Sequence, residues 1–107
     1  MTLTVEVIHC AFEDVPIHVA TVQSAPHHNT IEACEFAFRW TQNIHDSWSM
    51  KGELDGSHNV FVMAPLHQGK DGQPLGLRST SVGDRMIING VVFEVAPNGF
   101  ELLTPII

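Results

Sequence analysis

Arg85-Met86-Ile87-Ile88-Asn89-Gly90-Val91-Val92-Phe93-Glu94-Val95 is the stretch that decides the architecture of this chain. Two apolar, β-branched runs flank Asn-Gly. A loop of that composition suits a type I′ turn, which needs positive φ at both central residues. The segment therefore predicts a β-hairpin turning at Asn89-Gly90. Ser81-Val82-Gly83-Asp84 forms the turn that leads into it, because short polar side chains bond nearby backbone groups and Gly83 supplies a conformation other residues resist. Pro97-Asn98-Gly99 is a second turn, and Phe100-Glu101-Leu102-Leu103 a last short strand.

Working back from the hairpin, Pro65 to Thr80 reads as one long loop, with glycines at 69, 72 and 76 and the turn pair Asp71-Gly72. Asn59 to Ala64 reads as a mostly buried strand. Asn43 to Ser57 carries Gly52 and Asp55-Gly56 and is expected to be irregular. Asn29-Thr30-Ile31-Glu32 is a capping-box pattern that opens a helix running to about Gln42. Its polar face is Glu32, Glu35, Arg39 and Gln42, and its inner face Ile31, Cys34, Ala37, Phe38 and Thr41. At the N-terminus Leu3, Val5 and Val7 alternate on one face of a strand, as do Val15, Ile17 and Val19 on the next. Pro16 cannot donate to a ladder, so that second strand lies at an edge or starts just after the proline. The pattern predicts an α+β fold: a curled antiparallel sheet of five or six strands packed on one main helix, about residues 30–42, in a single domain over 1–107.

A domain of 107 residues buries roughly 65% of the surface its unfolded chain exposes, enough for one core. Twelve acidic and five basic residues give a formal charge of -7. Nucleic-acid backbones are held by clustered Lys and Arg, so direct nucleic-acid binding is disfavoured and a protein partner is the better match. No apolar run reaches the ~20 residues of a membrane helix, and the first residues lack a signal peptide, so the expectation is a complete cytoplasmic protein. Cys10 and Cys34 belong to no Cys-x-x-Cys pair and are read as reduced, apolar side chains, with a disulfide between them the lesser alternative.

Seven histidines raise the question of a metal. Zinc needs three or four converging ligands, yet His9-Cys10 and His27-His28 are adjacent and point apart on a strand. Only His9 and His18, on neighbouring strands, leave a shared site open, and no metal or cofactor is expected. His45, Asp46 and Ser47 are too close in sequence to present a triad. Gly69-Lys70-Asp71-Gly72 resembles a phosphate loop only in composition. A His/Asp-dependent hydrolase or metal-binding protein would require convergence among His45, Asp46, His58, His67 and Asp84. Trp48, in polar surroundings, either plugs a loop onto the core or anchors a partner. Arg78 can pair with Asp84 or with acids elsewhere in the chain, as part of the hairpin entry or of a recognition surface.

Arg78-Ser79-Thr80-Ser81-Val82-Gly83-Asp84, followed by Asn89-Gly90, Phe93-Glu94-Val95 and Gly99-Phe100, resembles a pattern in uncharacterised small accessory proteins of bacterial plasmids and integrative conjugative elements. Phe38-Arg39-Trp40-Thr41-Gln42-Asn43 and Trp48 extend the resemblance over about half the chain. It implies a bacterial, mobile-element setting and transfers no catalytic residue. The leading expectation is a non-enzymatic accessory protein that binds another protein through Trp48, Arg78 and Asp84. An acidic nucleic-acid mimic that inhibits a host enzyme is a further reading, which would require carboxylates clustered on one surface. The apolar end Leu102-Leu103-Thr104-Pro105-Ile106-Ile107 leaves homo-oligomerisation open.

Overall fold

A computed structural model describes residues 2–43, 48–49, 60–65, 67–68 and 74–103. In chain order the elements are β1 (Thr4–His9), β2 (Ile17–Gln23), α1 (Thr30–Trp40), β3 (Val60–Val62), β4 (His67–Gln68), β5 (Pro74–Leu75), β6 (Arg85–Ile88), β7 (Val91–Ala96) and β8 (Gly99–Leu102). An open antiparallel sheet of six strands runs β3-β2-β1-β6-β7-β8, and β4 and β5 form a separate small pair. With its one described helix, the fold is the α+β arrangement expected.

The hairpin turns where the sequence places it: Asn89 has φ 51 and Gly90 φ 80, the two positive values a type I′ turn demands. In the strands, period two aligns a single buried face. Val5 stands opposite Val22, Val7 opposite both Ala20 and Met86, and Met86 opposite Phe93. These residues, with Val19, Ile88 and Val95, form the sheet side of the core. The pairing of β1 with β2 slips after Val7, since Ile8 faces His18 and leaves Val19 as an extra residue. A bulge of this kind resets which residues point inward. The expected Val15-Ile17-Val19 face is accordingly broken: Val19 and Ala20 are both buried, while Val15 and Ile17 are exposed. β2 does begin just after Pro16.

The capping box forms as read. Asn29 Oδ1 accepts from the Glu32 N–H at 2.8 Å, and Glu32 Oε1 accepts from the Asn29 N–H at 2.9 Å. α1 ends at Trp40, two residues before Gln42, because Thr41 leaves helical geometry and its hydroxyl donates to the Ala37 carbonyl. Its buried residues are Ala33, Cys34 and Ala37, small side chains that let the helix lie close to the sheet. Ile31, expected inside, sits in the first turn and is exposed. Phe38 closes the far side, edge-on to Phe100 at 6.3 Å.

Two further expectations change. Asn59 to Ala64 was expected to be mostly buried, but β3 ends the sheet and exposes Phe61, Val62 and Met63. Between Pro65 and Thr80 the chain is not one loop, since β4 and β5 pair within it. The turn pairs Asp55-Gly56 and Asp71-Gly72 and the last four residues of the apolar tail lie outside the described residues. Among the described residues, no helix is long and apolar enough to cross a membrane.

Candidate functional site: a clamped arginine beside a cleft

Four chain segments meet where β1 ends: His9 from β1, Glu13 from the β1–β2 connection, Arg78 from the approach to β6, and Asp84 just before it. Asp84 is fully buried. Its Oδ1 accepts from the backbone N–H groups of Cys10 and Ala11, both at 2.9 Å, and its Oδ2 from that of Ser81 at 2.8 Å. Arg78 adds two charge-assisted bonds, Nη2 to Oδ1 and Nη1 to Oδ2, each 2.7 Å. Burial by itself pushes the Asp84 carboxyl up. The bonds from Arg78, Ala11, Ser81 and Cys10 outweigh it and hold the carboxyl below its ordinary value.

Arg78 is occupied on its other edge too. Nε donates to Glu13 Oε2 at 3.0 Å, Nη2 to Glu13 Oε1 at 2.8 Å, and Nη1 to the Ser79 carbonyl at 2.8 Å. A guanidinium has five N–H groups, and here every one has an acceptor within the chain. The Phe12 ring lies 4.9 Å from its Cζ and covers one face. The Asp84 bonds, followed by those to Glu13, keep the guanidinium charged, and Arg78 in turn depresses Glu13.

His9 is 2% exposed. Its Nε2 lies 3.0 Å from Thr80 Oγ1, Thr80 donates to Thr41 Oγ1 at 2.7 Å, and Thr41 donates to the Ala37 carbonyl at 2.8 Å. Each hydroxyl has one proton, so this chain assigns the Nε2–H tautomer to His9 and leaves Nδ1 as the acceptor. Burial lowers the His9 pKa, and Arg78 adds to that. Asp84, whose Oδ2 is 3.9 Å from Nε2, pulls the other way without prevailing. His9 is therefore neutral at pH 7.

Trp48 is 2% exposed and packs edge-on against His9 at 6.2 Å. Its indole N–H donates to the Arg78 carbonyl at 2.7 Å. Asn43 Nδ2 donates to the Leu77 carbonyl, Gln42 Nε2 to the Thr80 carbonyl, and the Leu77 N–H to Ser49 Oγ. The strip 77–80 is thus laced to the carboxyl end of α1 and to Trp48.

Beside this network opens a cleft of about 320 Å³. His9, Glu13 and Arg78 supply its polar wall, and Ile17, Val19 and Leu77 an apolar one. Ala64 and Pro65, just past β3, also line it.

Arg78 and Asp84 are brought together as the sequence suggested. Burial gives Trp48 the role of a plug, so neither Trp48 nor Asp84 presents a surface to a partner, and Arg78 keeps no free donor. His45, Asp46 and His58 lie outside the described residues, and His67 is placed by its backbone in β4. Asp84 lies beside His9, its Oδ2 3.9 Å from Nε2. His9 and His18 do not share a site: His18 stands opposite Ile8, on the other face from His9, and bonds Thr21. Among the described residues no three His, Cys, Asp or Glu side chains gather as metal ligands. The thiols are held protonated, Cys34 pushed up to about 12 by burial and Cys10 raised by the same cause. Sequence reasoning placed His9 only in a site shared with His18 and Thr80 only in the turn motif, and it gave Glu13 and Thr41 no part in this network. One signal existed for His9, which continues the Leu3-Val5-Val7 alternation and so falls on the buried face.

No protein-family model, curated protein or solved structure matches the chain.

Proposed function

We propose that this chain is a non-catalytic binding module that takes an extended segment of another protein along β3, in the bacterial mobile-element setting its sequence resemblance implies. The observation that carries the reading is the edge itself. β3 terminates the sheet, and Phe61, Val62 and Met63 in succession are 52%, 38% and 54% exposed. Edge strands offer unpaired backbone groups and are ordinarily blunted by charge, proline or cover. An apolar edge is instead what strand addition uses, with main-chain bonds for affinity and side-chain pockets for specificity.

The chemistry-bearing residues support the same reading from the other side. Asp84 accepts five internal bonds and its carboxyl is held low, which suits a structural anchor rather than a proton-accepting base. The nucleic-acid mimic draws less support. Described carboxylates are dispersed: Glu32 and Glu35 lie on the helix, Glu6, Glu94 and Glu101 on the opposite face of the sheet, Glu13 and Asp14 between β1 and β2, and Asp84 is buried.

Selection from a displayed library of random extended peptides tests the proposal. The wild-type chain is expected to enrich segments with alternating apolar residues. The exposed double substitution Phe61→Lys/Met63→Lys is expected to abolish enrichment while shifting stability within about 0.5 kcal/mol. Enrichment that survives the double substitution would overturn the edge as the docking site. Light scattering decides whether the edge is taken instead by a second copy.

A further inference from the structure

We infer that the cleft at the end of β3 receives a cationic side chain, lysine or arginine, of the docked partner, with its stem on the apolar wall and its charged head at Glu13. The inference rests on the binding-module reading and deepens it. It starts from hydrogen-bonding capacity. Arg78 has no N–H to spare, and Asp84 is filled on both oxygens. An ionised carboxylate has about four lone-pair sites. Glu13 Oε1 accepts from the Phe12 N–H and from Arg78 Nη2, whereas Oε2, among the described residues, accepts from Arg78 Nε alone. The spare capacity in this wall is therefore that of an acceptor, on Glu13 Oε2.

Charge points the same way. Two carboxylates meet one guanidinium, and His9 is neutral, so the cluster carries a net negative charge. An anionic ligand would meet that charge with no spare side-chain donor among the described residues of this wall. A cation gains both the field and the Oε2 lone pair, and the whole chain at -7 favours its approach. The apolar part of the lining, Ile17, Val19 and Leu77, suits methylenes, and lysine and arginine bury such stems while their heads stay polar. The position fits the same occupant, since Ala64 and Pro65 continue from β3 into the cleft lining. A strand laid along that edge carries one side chain to the opening.

The test is a solution NMR titration of the full chain with Nα-acetyl-lysine N-methylamide, and with the arginine, norleucine and glutamate analogues. The lysine or arginine probe is expected to shift the methyl signals of Val19, Ile17 and Leu77. The norleucine and glutamate probes are expected to leave them unmoved. Raising the salt from about 0.01 M to about 1 M should weaken the effect. Glu13→Gln keeps the shape and removes the charge, and is expected to bind the cationic probe about tenfold less tightly, the loss of one charge-assisted contact. If that variant does not fold, the comparison of lysine with norleucine and its salt dependence decide the matter in the wild-type chain. Equal shifts from norleucine, stronger shifts from glutamate, or none from either cation would overturn the inference. Peptide enrichment without Lys or Arg, together with a silent cationic probe, would sink this inference and leave the binding module standing. A cationic probe that binds without any peptide enrichment would establish the cleft and remove the docking edge.

Discussion

At the scale of single residues, the most exacting position is Asp84, which joins the β1 end, the hairpin entry and Arg78 through one carboxylate. Asp84→Asn sets an amide N–H against one of these donor sets and leaves Arg78 short of a counter-charge. The expected cost is about 3–5 kcal/mol, read as a lower midpoint in urea unfolding. His9 gives a pH signature. Its folded pKa is lowered below 6.5, so the unfolded chain binds the proton more readily. Stability from this group is full above pH 6.5 and is lost as pH falls through that value toward the folded pKa. Thermal melts between about pH 7 and pH 5 should show that decline, and His9→Gln should flatten it. Arg78 and Asp84 were legible as a pair because they lie six positions apart. Glu13 was not, being 65 positions from the arginine it clamps, a distance that only strand order closes.

Among the elements, the turn into β6 and the turn after it make different demands on glycine. Gly90 has φ +80 and nothing within 4 Å of an added Cβ, so Gly90→Ala incurs backbone strain alone, about 1 kcal/mol. Gly83 has φ +97, and its Cβ would lie 3.1 Å from that of Ala11. Gly83→Ala adds this crowding against the strand end and is expected to cost about 2 kcal/mol or more. Denaturant midpoints of the two variants should preserve that order. What was legible here was local. Asn89-Gly90 and the Asn29/Glu32 cap carry their geometry within a few residues, and both form as read. The exposure of β3 and the bulge at Val19 were not legible, because each depends on which strand lies alongside. An apolar run such as Val60-Phe61-Val62 looks the same in the centre of a sheet and at its border.

For the molecule as a whole, the sheet is organised about its first strand: β1 sits between β2 and β6, which are far apart in the chain, and α1 and β3 fall between those two in sequence. The α+β class was legible because hairpin, helix and alternation each point to it. The cleft was not, since its walls come from the end of β1, the start of β2, and the chain near 64 and 78. The same design separates the fold from the covalent continuity of its chain. A break after Gly52 yields one piece with β1, β2, α1 and Trp48, and another with β3 to β8. The pieces keep complementary borders in β2–β3 and β1–β6, and a rivet in Asp84 with Cys10 and Ala11. Co-expressed, they are expected to purify as a one-to-one complex with the circular dichroism of the intact chain, and Asp84→Asn in the second piece is expected to part them. The carboxylate that holds a turn in the unbroken protein would then act as a subunit contact.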